Sequence, residues 1–383
     1  MTRKVITVAL NGVTGRMGYR QHLVRSLLAI REQGGVRLAD GSCLYPEPIL
    51  VGRNEERLRA IAERHGLERW TTRLDEVLAD PSVDVYFDTQ VTSAREAALM
   101  KAIEAGKHVY TEKPVAATLD GALRLARAAK AAGITHGVVH DKLFLPGVLK
   151  LQRLLSAGFF GRVLSVRLEF GYWVFEGDGI PAQRPSWNYR ADEGGGIVLD
   201  MFPHWQYLLT GLFGPLAALY VRSFTHIPKR WDESGRPYEA TADDAAYAVL
   251  EFASGAVASV NSSWAVRVNR RELLELQVDG THGSAVAGLR NCAIQHRVST
   301  PMPVWNPDLP DPIDYQAQWT DVPDTMSFDN GFKAEWELFL KSAVSGQPFA
   351  WDLAEGAKGV QLAELALRSS AEGRRVDVPP LDV

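Results

Sequence analysis

The chain has 383 residues, 46% of them hydrophobic, and a formal net charge of −4. That length exceeds one compact core and predicts two domains, while the near-neutral charge excludes a nucleic-acid-binding surface and a basic membrane-binding face. The two cysteines, Cys43 and Cys292, are far apart in sequence and form no metal-ligand spacing, so neither a disulfide framework nor a metal site is expected.

The N-terminus carries no cleavage-site pattern and no segment approaches the length of a membrane span, which reads as a cytoplasmic protein. In chain order, "VITVAL" predicts a strand, "NGVTGRMG" a turn and "YRQHLVRSLLAIREQ" a helix. That succession presents N–H groups at the carboxyl edge of a sheet, where a pyrophosphate binds. Gly12, Gly15 and Gly18 are spaced by three, not as G-x-G-x-x-G, and an ordinary βα turn fits them too. The stretch from Gly34 to Pro46 is long for a connection and is expected to be an insertion reaching toward the site or a neighbouring subunit. "PILVGRN" follows as a strand and "EERLRAIAERHG" as a helix stopped by Gly66. A short helix and a strand ending near Phe87 lie in "LDEVLADPSVDVYFDTQ". The helix "SAREAALMKAIEAG", the strand "KHVYTEK", the helix "LDGALRLARAAKAAG" and the strand "THGVVHD" complete a doubly wound parallel sheet over residues 1–145.

From about Gly161 the pattern becomes hairpin-linked. "RVLSVRLEFGYWVF", "LAALYVRSF", "AAYAVLEFASGAVASVNSSWAVRV" and "ELLELQVDGTHGSAVAG" are rich in β-branched and aromatic residues. Residues 146–383 are therefore expected to form an α+β domain on an open, mainly antiparallel sheet, with the last helices near the junction. Such a sheet leaves an apolar face, so a homodimer or homotetramer is expected to form through it.

Two further motifs carry chemistry. "AGKHVYTEKP" sets Glu112 and Lys113 just past a strand end. "GGGIVLDMFPHW" sets Asp200 and His204 four residues apart, on one face of a helix. Alone, this second motif also reads as Asp200 capping a helix that begins near Met201, with Pro203 in its first turn and His204 packed inside.

Taken in order along almost the whole chain, the glycine turn, "AGKHV" leading into "EKP", and "GGG" followed by Asp200 and His204 resemble the Gfo/Idh/MocA oxidoreductase family. The resemblance implies an N-terminal Rossmann domain for NAD(P) and a C-terminal substrate-binding domain. It implies that Gly12, Thr14, Gly15, Arg16, Met17, Thr89 and Glu112 lie at the cofactor. Lys113 matches the lysine beside the nicotinamide and a substrate hydroxyl, its bond to Pro114 often being cis in relatives. Asp200 and His204 match the acid and histidine that face that lysine in the family. The chain departs from the family in its G-x-x-G-x-x-G turn. It also has Arg95 where many relatives have a histidine, a change expected to touch only the outer shell of the cofactor.

Hydride transfer from a secondary alcohol requires the hydroxyl proton to leave, and His204 suits that task. A protonated Lys113 would stabilise the developing alkoxide, and Asp200 would orient the imidazole or bind a neighbouring hydroxyl. At the end of the second strand Gly52 stands where an acid would bind the ribose of NAD. Arg53 and Asn54 follow it, which tilts the choice toward NADP, although arginine also stacks on adenine in NAD enzymes. The resemblance implies Lys142 on the substrate side, where relatives often carry a basic residue, and the loop residues Arg184, Trp187, Asn188 and Tyr189 are expected there too, since indole faces stack on pyranose rings and guanidinium forks bind anionic groups. Trp264, Arg267 and Arg270 read more plainly as packing or solvated residues. The leading expectation is an NAD(P)-dependent dehydrogenase of a sugar, sugar acid, glycoside or cyclitol. One alternative is an NAD-dependent glycoside hydrolase that recycles its cofactor. Another is a nucleotide sensor without chemistry, against which the joint presence of Lys113, Asp200 and His204 counts.

Overall fold

The opening strand, Arg3–Asn11, lies inside a seven-stranded sheet in this computed structural model, which describes residues 2–300, 308–309 and 313–383. Cys43–Val51 pairs with it on one side and Val85–Asp88 on the other, both parallel, so the strand order reverses there. His108–Thr111 and His136–Val138 continue beyond Val85–Asp88. Trp70–Thr71 and the antiparallel Val36–Arg37 border Cys43–Val51. Open α/β sheets bind ligands beyond the carboxyl ends of strands at such a reversal, and Gly12 follows the first strand there.

Alternate strand residues feed two cores. Val8, Leu10, Val85, Phe87 and Tyr110 join Leu23 and Leu27 in one. Ala9, Ile49, Tyr86 and Val109 join Leu99 and Leu125 in the other, the two-faced burial of a parallel sheet. Helix ends are written locally. Asn54 caps Glu55–His65, which stops at the left-handed Gly66, and Thr118 caps Leu119–Ala132. The helix after the glycine turn is wound in the wider π form over Gly18–Leu28 and as α-helix over Ala29–Glu32.

The expected insertion from Gly34 to Pro46 is largely strand. All nine residues of Cys43–Val51 pair with Arg3–Asn11. Pro46 and Pro48 conceal it, because proline cannot donate to a ladder. Even-numbered residues of this strand direct their N–H away from the first strand, as the Leu50 N–H to Arg69 carbonyl bond of 3.0 Å shows. On that side Val36–Arg37 reaches only Cys43 and Leu44, and Trp70–Thr71 only Leu50 and Val51, so among the described residues the prolines interrupt no ladder.

Two compact units result. The first holds the residues up to Phe144, Asp329–Gln361 and Leu381–Val383, and the second holds Leu145–Phe328 and Leu362–Pro380. Residues 146–383, expected to form one domain with the last helices near the junction, are divided between the two units. Residues 329–361 instead group with the first unit, because Trp336, Phe339, Leu340 and Phe349 complete its aromatic core. Phe339 stacks on Tyr110 with ring centroids 4.5 Å apart.

The second unit is built on a nine-stranded sheet whose central strands run Leu274–Gly280, Val163–Gly171, Val257–Ser263, Ala245–Phe252 and Leu216–Phe224. Among the described residues, only Val163–Gly171 with Val257–Ser263 is a parallel pair in this sheet. Ala246, Ala248, Leu250 and Phe252 point to the buried face, on which helix Ile197–Phe213 packs, its Trp205 indole N–H donating to Ser262 Oγ at 3.1 Å. The other face leaves Tyr220, Phe224, Tyr247, Val249 and Val257 exposed. Among the described residues no helix is long and apolar enough to cross a membrane.

Candidate functional site

In the first unit the glycine turn is closed by contact with the next strand. Gly12 has a φ of 83°, and a Cβ there would stand 2.8 Å from the Thr89 carbonyl oxygen. A Cβ on Gly18 would stand 2.8 Å from the Gly12 carbonyl oxygen. Only glycine allows the chain to turn this tightly between strand and helix. Gly15 and Arg16 are exposed on the turn. Met17 sits at the start of the helix; among the described residues no side chain caps that start, and the first turn holds no acid. Such an end is suited to an anion, so the residues present fit the pyrophosphate of a dinucleotide. Thr14 Cγ2 lies 3.6 Å from where a Gly52 Cβ would stand, which brings the turn beside the end of Cys43–Val51. Arg53 there is exposed. Asn54 spends its Oδ1 on the helix cap, accepting the Arg57 N–H at 2.8 Å.

Behind the turn runs a buried polar network. Asn11 Nδ2 donates to the Tyr86 hydroxyl at 2.8 Å, which donates to Asp88 Oδ2 at 2.7 Å. Burial and the Asp88 charge push the Tyr86 hydroxyl well above its usual range. Arg95 Nε meets Asp88 Oδ1 at 3.2 Å, while its other nitrogens donate to the carbonyls of Gln90 at 2.6 Å and of Pro114. Arg95 was expected at the outer shell of a cofactor. In the structure it is a buried brace between two strand-end segments, one of them carrying the cis Lys113–Pro114 bond.

Glu112 is buried. Its Oε1 accepts from His22 Nε2 at 2.9 Å and its Oε2 from the Lys113 N–H at 3.1 Å. Burial pushes its carboxyl up, but the His22 hydrogen bond and the charges of Lys113 and Arg95 outweigh that and hold it below the usual range. Lys142 stands in the turn Asp141–Phe144 of the same unit, its Nζ 3.5 Å from Asp141 Oδ1.

In the second unit, Asp200 and His204 share helix Ile197–Phe213. Asp243, not Asp200, caps that helix: its Oδ2 accepts the Val198 N–H and its carbonyl the Ile197 N–H, each at 2.9 Å. Burial pushes the Asp243 carboxyl up. Pro203 lies inside the helix, well past its first turn. The capping alternative for Asp200 is thereby removed. Its carboxylate instead pairs with Arg184, whose guanidinium lies over the rings of Trp264 at 4.2 Å and Phe175 at 5.1 Å. His204 is buried, and its Nδ1 shares a 2.8 Å hydrogen bond with the Tyr207 hydroxyl.

The loop residues divide. Trp187 is exposed. Asn188 turns inward, donating to the Pro185 carbonyl at 3.0 Å. Tyr189 is buried, its hydroxyl donating to the Phe175 carbonyl at 2.6 Å and its ring lying 3.9 Å from the Arg230 guanidinium. Arg230 is itself buried against Asp244 at 2.8 Å and needs this cover, so Asn188 and Tyr189 support the loop. Of the expected substrate-side residues, the second unit therefore brings Arg184, Asp200 and His204 together. Sequence reasoning missed Tyr207, legible three residues after His204, and Asp243 and Phe175, which arrive from distant segments.

Residues 39–140 match the family model described as oxidoreductase family, NAD-binding Rossmann fold, and residues 148–286 match the GFO/IDH/MocA C-terminal domain. The chain is 56% identical over 381 residues to a D-xylose dehydrogenase from Paenarthrobacter nicotinovorans, covering 98% of each chain. It is 28% identical over 262 residues to a levoglucosan dehydrogenase from Pseudarthrobacter phenanthrenivorans, covering 63% of this chain and 66% of that one. Among solved structures, levoglucosan dehydrogenase in complex with NADH and L-sorbose superposes with a TM-score of 0.81 over the whole of both chains at 22% identity, a likeness of fold.

Proposed function

This chain belongs to the Gfo/Idh/MocA family of oxidoreductases, and from that premise we propose that it oxidises a ring CH–OH of an aldose with NAD or NADP, D-xylose being the first substrate to test. The near-full-length identity to a D-xylose dehydrogenase carries the proposal. A bound nicotinamide supplies the hydride acceptor. The glycine turn, with Thr14 and Thr89, holds the cofactor, and the exposed Arg53 beside Gly52 favours a 2′-phosphate. Lys113 stabilises charge developing on the substrate oxygen. His204, its Nδ1 edge held by Tyr207, takes the hydroxyl proton at Nε2. Asp200 and Arg184 act as one ion pair that binds neighbouring hydroxyls. Lys142 and Trp187 complete the sugar contacts. The exposed aromatic face of the second sheet supports self-association as a dimer or tetramer, and the work is that of a cytoplasmic enzyme.

The test is one incubation with D-xylose, other aldoses, sugar acids, inositols and aryl glycosides, each with NAD or NADP, recording reduced nicotinamide and released aglycone together. Reduced nicotinamide accumulating with D-xylose is the expected result, and Lys113→Ala and His204→Ala each lower turnover by about a hundredfold. Aglycone released without net reduction would make the protein a glycosidase. Cofactor binding without turnover of anything would make it a sensor.

A further inference from the structure

His22 lies on the Gly18–Leu28 helix with its ring wholly buried, 4.3 Å from the ring of Phe87 and edge-on to Phe332 at 5.2 Å. Both its nitrogens are engaged. The Trp336 indole N–H, which can only donate, reaches Nδ1 at 3.0 Å, so Nδ1 carries no proton. The ring proton is therefore on Nε2 and is donated to Glu112 Oε1. Glu112 in turn accepts the Lys113 N–H through its other oxygen. An unbroken hydrogen-bonded line thus connects Trp336, His22, Glu112 and the main chain of Lys113, all within the first unit.

We infer that His22 and Trp336 are positioning residues for the reaction, holding Lys113 in place through the Glu112 carboxylate. The inference rests on the reading of Lys113 as part of the hydride-transfer machinery. Packing alone would be served by an apolar side chain at position 22, since its neighbours are aromatic rings. The residues present instead give each oxygen of a buried carboxylate its own donor and fix the histidine tautomer by a third group. Leucine at position 22 would leave Glu112 Oε1 buried and without its donor, a state relieved only by protonation or by swinging away from the Lys113 N–H.

The charged and titratable groups that face Glu112 are His22 from its helix, Lys113 from its own segment, Arg95 from helix Thr92–Glu104, and Glu335 and Tyr110 from behind. Removing the His22 donor while Glu335 and burial remain moves Glu112 protonation toward neutral pH. Turnover then gains a new acid limb.

The experiment compares kcat, KM, NADH affinity and thermal melting for His22→Leu, His22→Gln, Trp336→Phe and Lys113→Ala. His22→Leu is expected to lower kcat about tenfold to a hundredfold, with sugar KM and NADH affinity within about threefold of wild type. His22→Gln, whose amide can donate to Glu112, recovers much of that loss. Trp336→Phe, which keeps the ring and removes the N–H that fixes the His22 tautomer, lowers kcat less than His22→Leu without lowering sugar or NADH affinity, so it carries the test even where His22→Leu does not fold. In a Lys113→Ala background, His22→Leu is expected to cost no further kcat. Variants that melt lower but keep wild-type kcat and pH profile would reduce His22 and Trp336 to packing. Wild-type turnover in Lys113→Ala would overturn the reading of Lys113 itself, and with it this inference.

Discussion

Replacing Arg95 with methionine removes the cation that faces Asp88 and the donors to the Gln90 and Pro114 carbonyls while keeping most of the side-chain length. Asp88 would keep the Tyr86 hydroxyl and the Gln90 N–H at 2.9 Å, but no positive partner. The two side chains are 4% and 0% exposed, so solvent does not screen the loss. Removing one member of such a buried pair costs about 3–5 kcal/mol, because the other charge is left uncompensated. For a unit of this size each kcal/mol lowers Tm by about 2–4 °C, which gives a fall of roughly 6–20 °C. Circular dichroism melting of Arg95→Met checks it. Arg95→Lys should recover part of the loss and Asp88→Asn combined with Arg95→Met most of it, since neither leaves a lone charge. A methionine variant melting within about 2 °C of wild type would refute the brace.

Gly12→Ala adds a methyl group 2.8 Å from the Thr89 carbonyl at a φ of 83°, a conformation that costs an L-residue about 1–2 kcal/mol even in open space. NADH fluorescence titration should show affinity lowered about tenfold or more, and unchanged affinity would separate the turn from cofactor binding. Glu335 accepts the His140 N–H through both oxygens, at 2.8 and 2.9 Å, and burial first, then Asp141 and Glu112, pushes its carboxyl well above the usual range. The unfolded chain ionises Glu335 in the ordinary carboxylate range while the folded chain keeps the proton. Its contribution to stability is therefore present below that range and lost as pH rises through the folded value. Glu335→Gln keeps an acceptor and cannot ionise, so its Tm relative to wild type should rise between pH 5 and pH 8; parallel Tm profiles would contradict this.

What the sequence made legible was local. The strand, glycine turn and helix at Asn11 to Gly18 are contiguous, and the four-residue interval from Asp200 to His204 sets both on one helix whatever surrounds it. The strand through Pro46 and Pro48 was hidden because its acceptability depends on which side of the sheet lacks a partner, a property of its neighbours Val36–Arg37 and Trp70–Thr71. Asn188 and Tyr189 have the composition of sugar-binding residues, and only the buried Arg230 and Asp244 pair explains why they face inward. His22 meets Trp336 across 314 residues of sequence, beyond the reach of any periodicity.

The buried charges of the first unit share one logic. Beyond the last ladder bonds of Val85–Asp88 and His108–Thr111, the chain still carries main-chain groups that need partners away from water. Asp88 takes the Gln90 N–H, Arg95 takes the Gln90 and Pro114 carbonyls, and Glu112 takes the Lys113 N–H. Each of those side chains is buried and therefore requires a counter-group: Arg95 for Asp88, His22 for Glu112. Arginine at position 95 is thus coupled to Asp88 and to the Lys113–Pro114 segment. A histidine placed there would reach fewer carbonyls and would require compensating changes at Gln90 or Pro114.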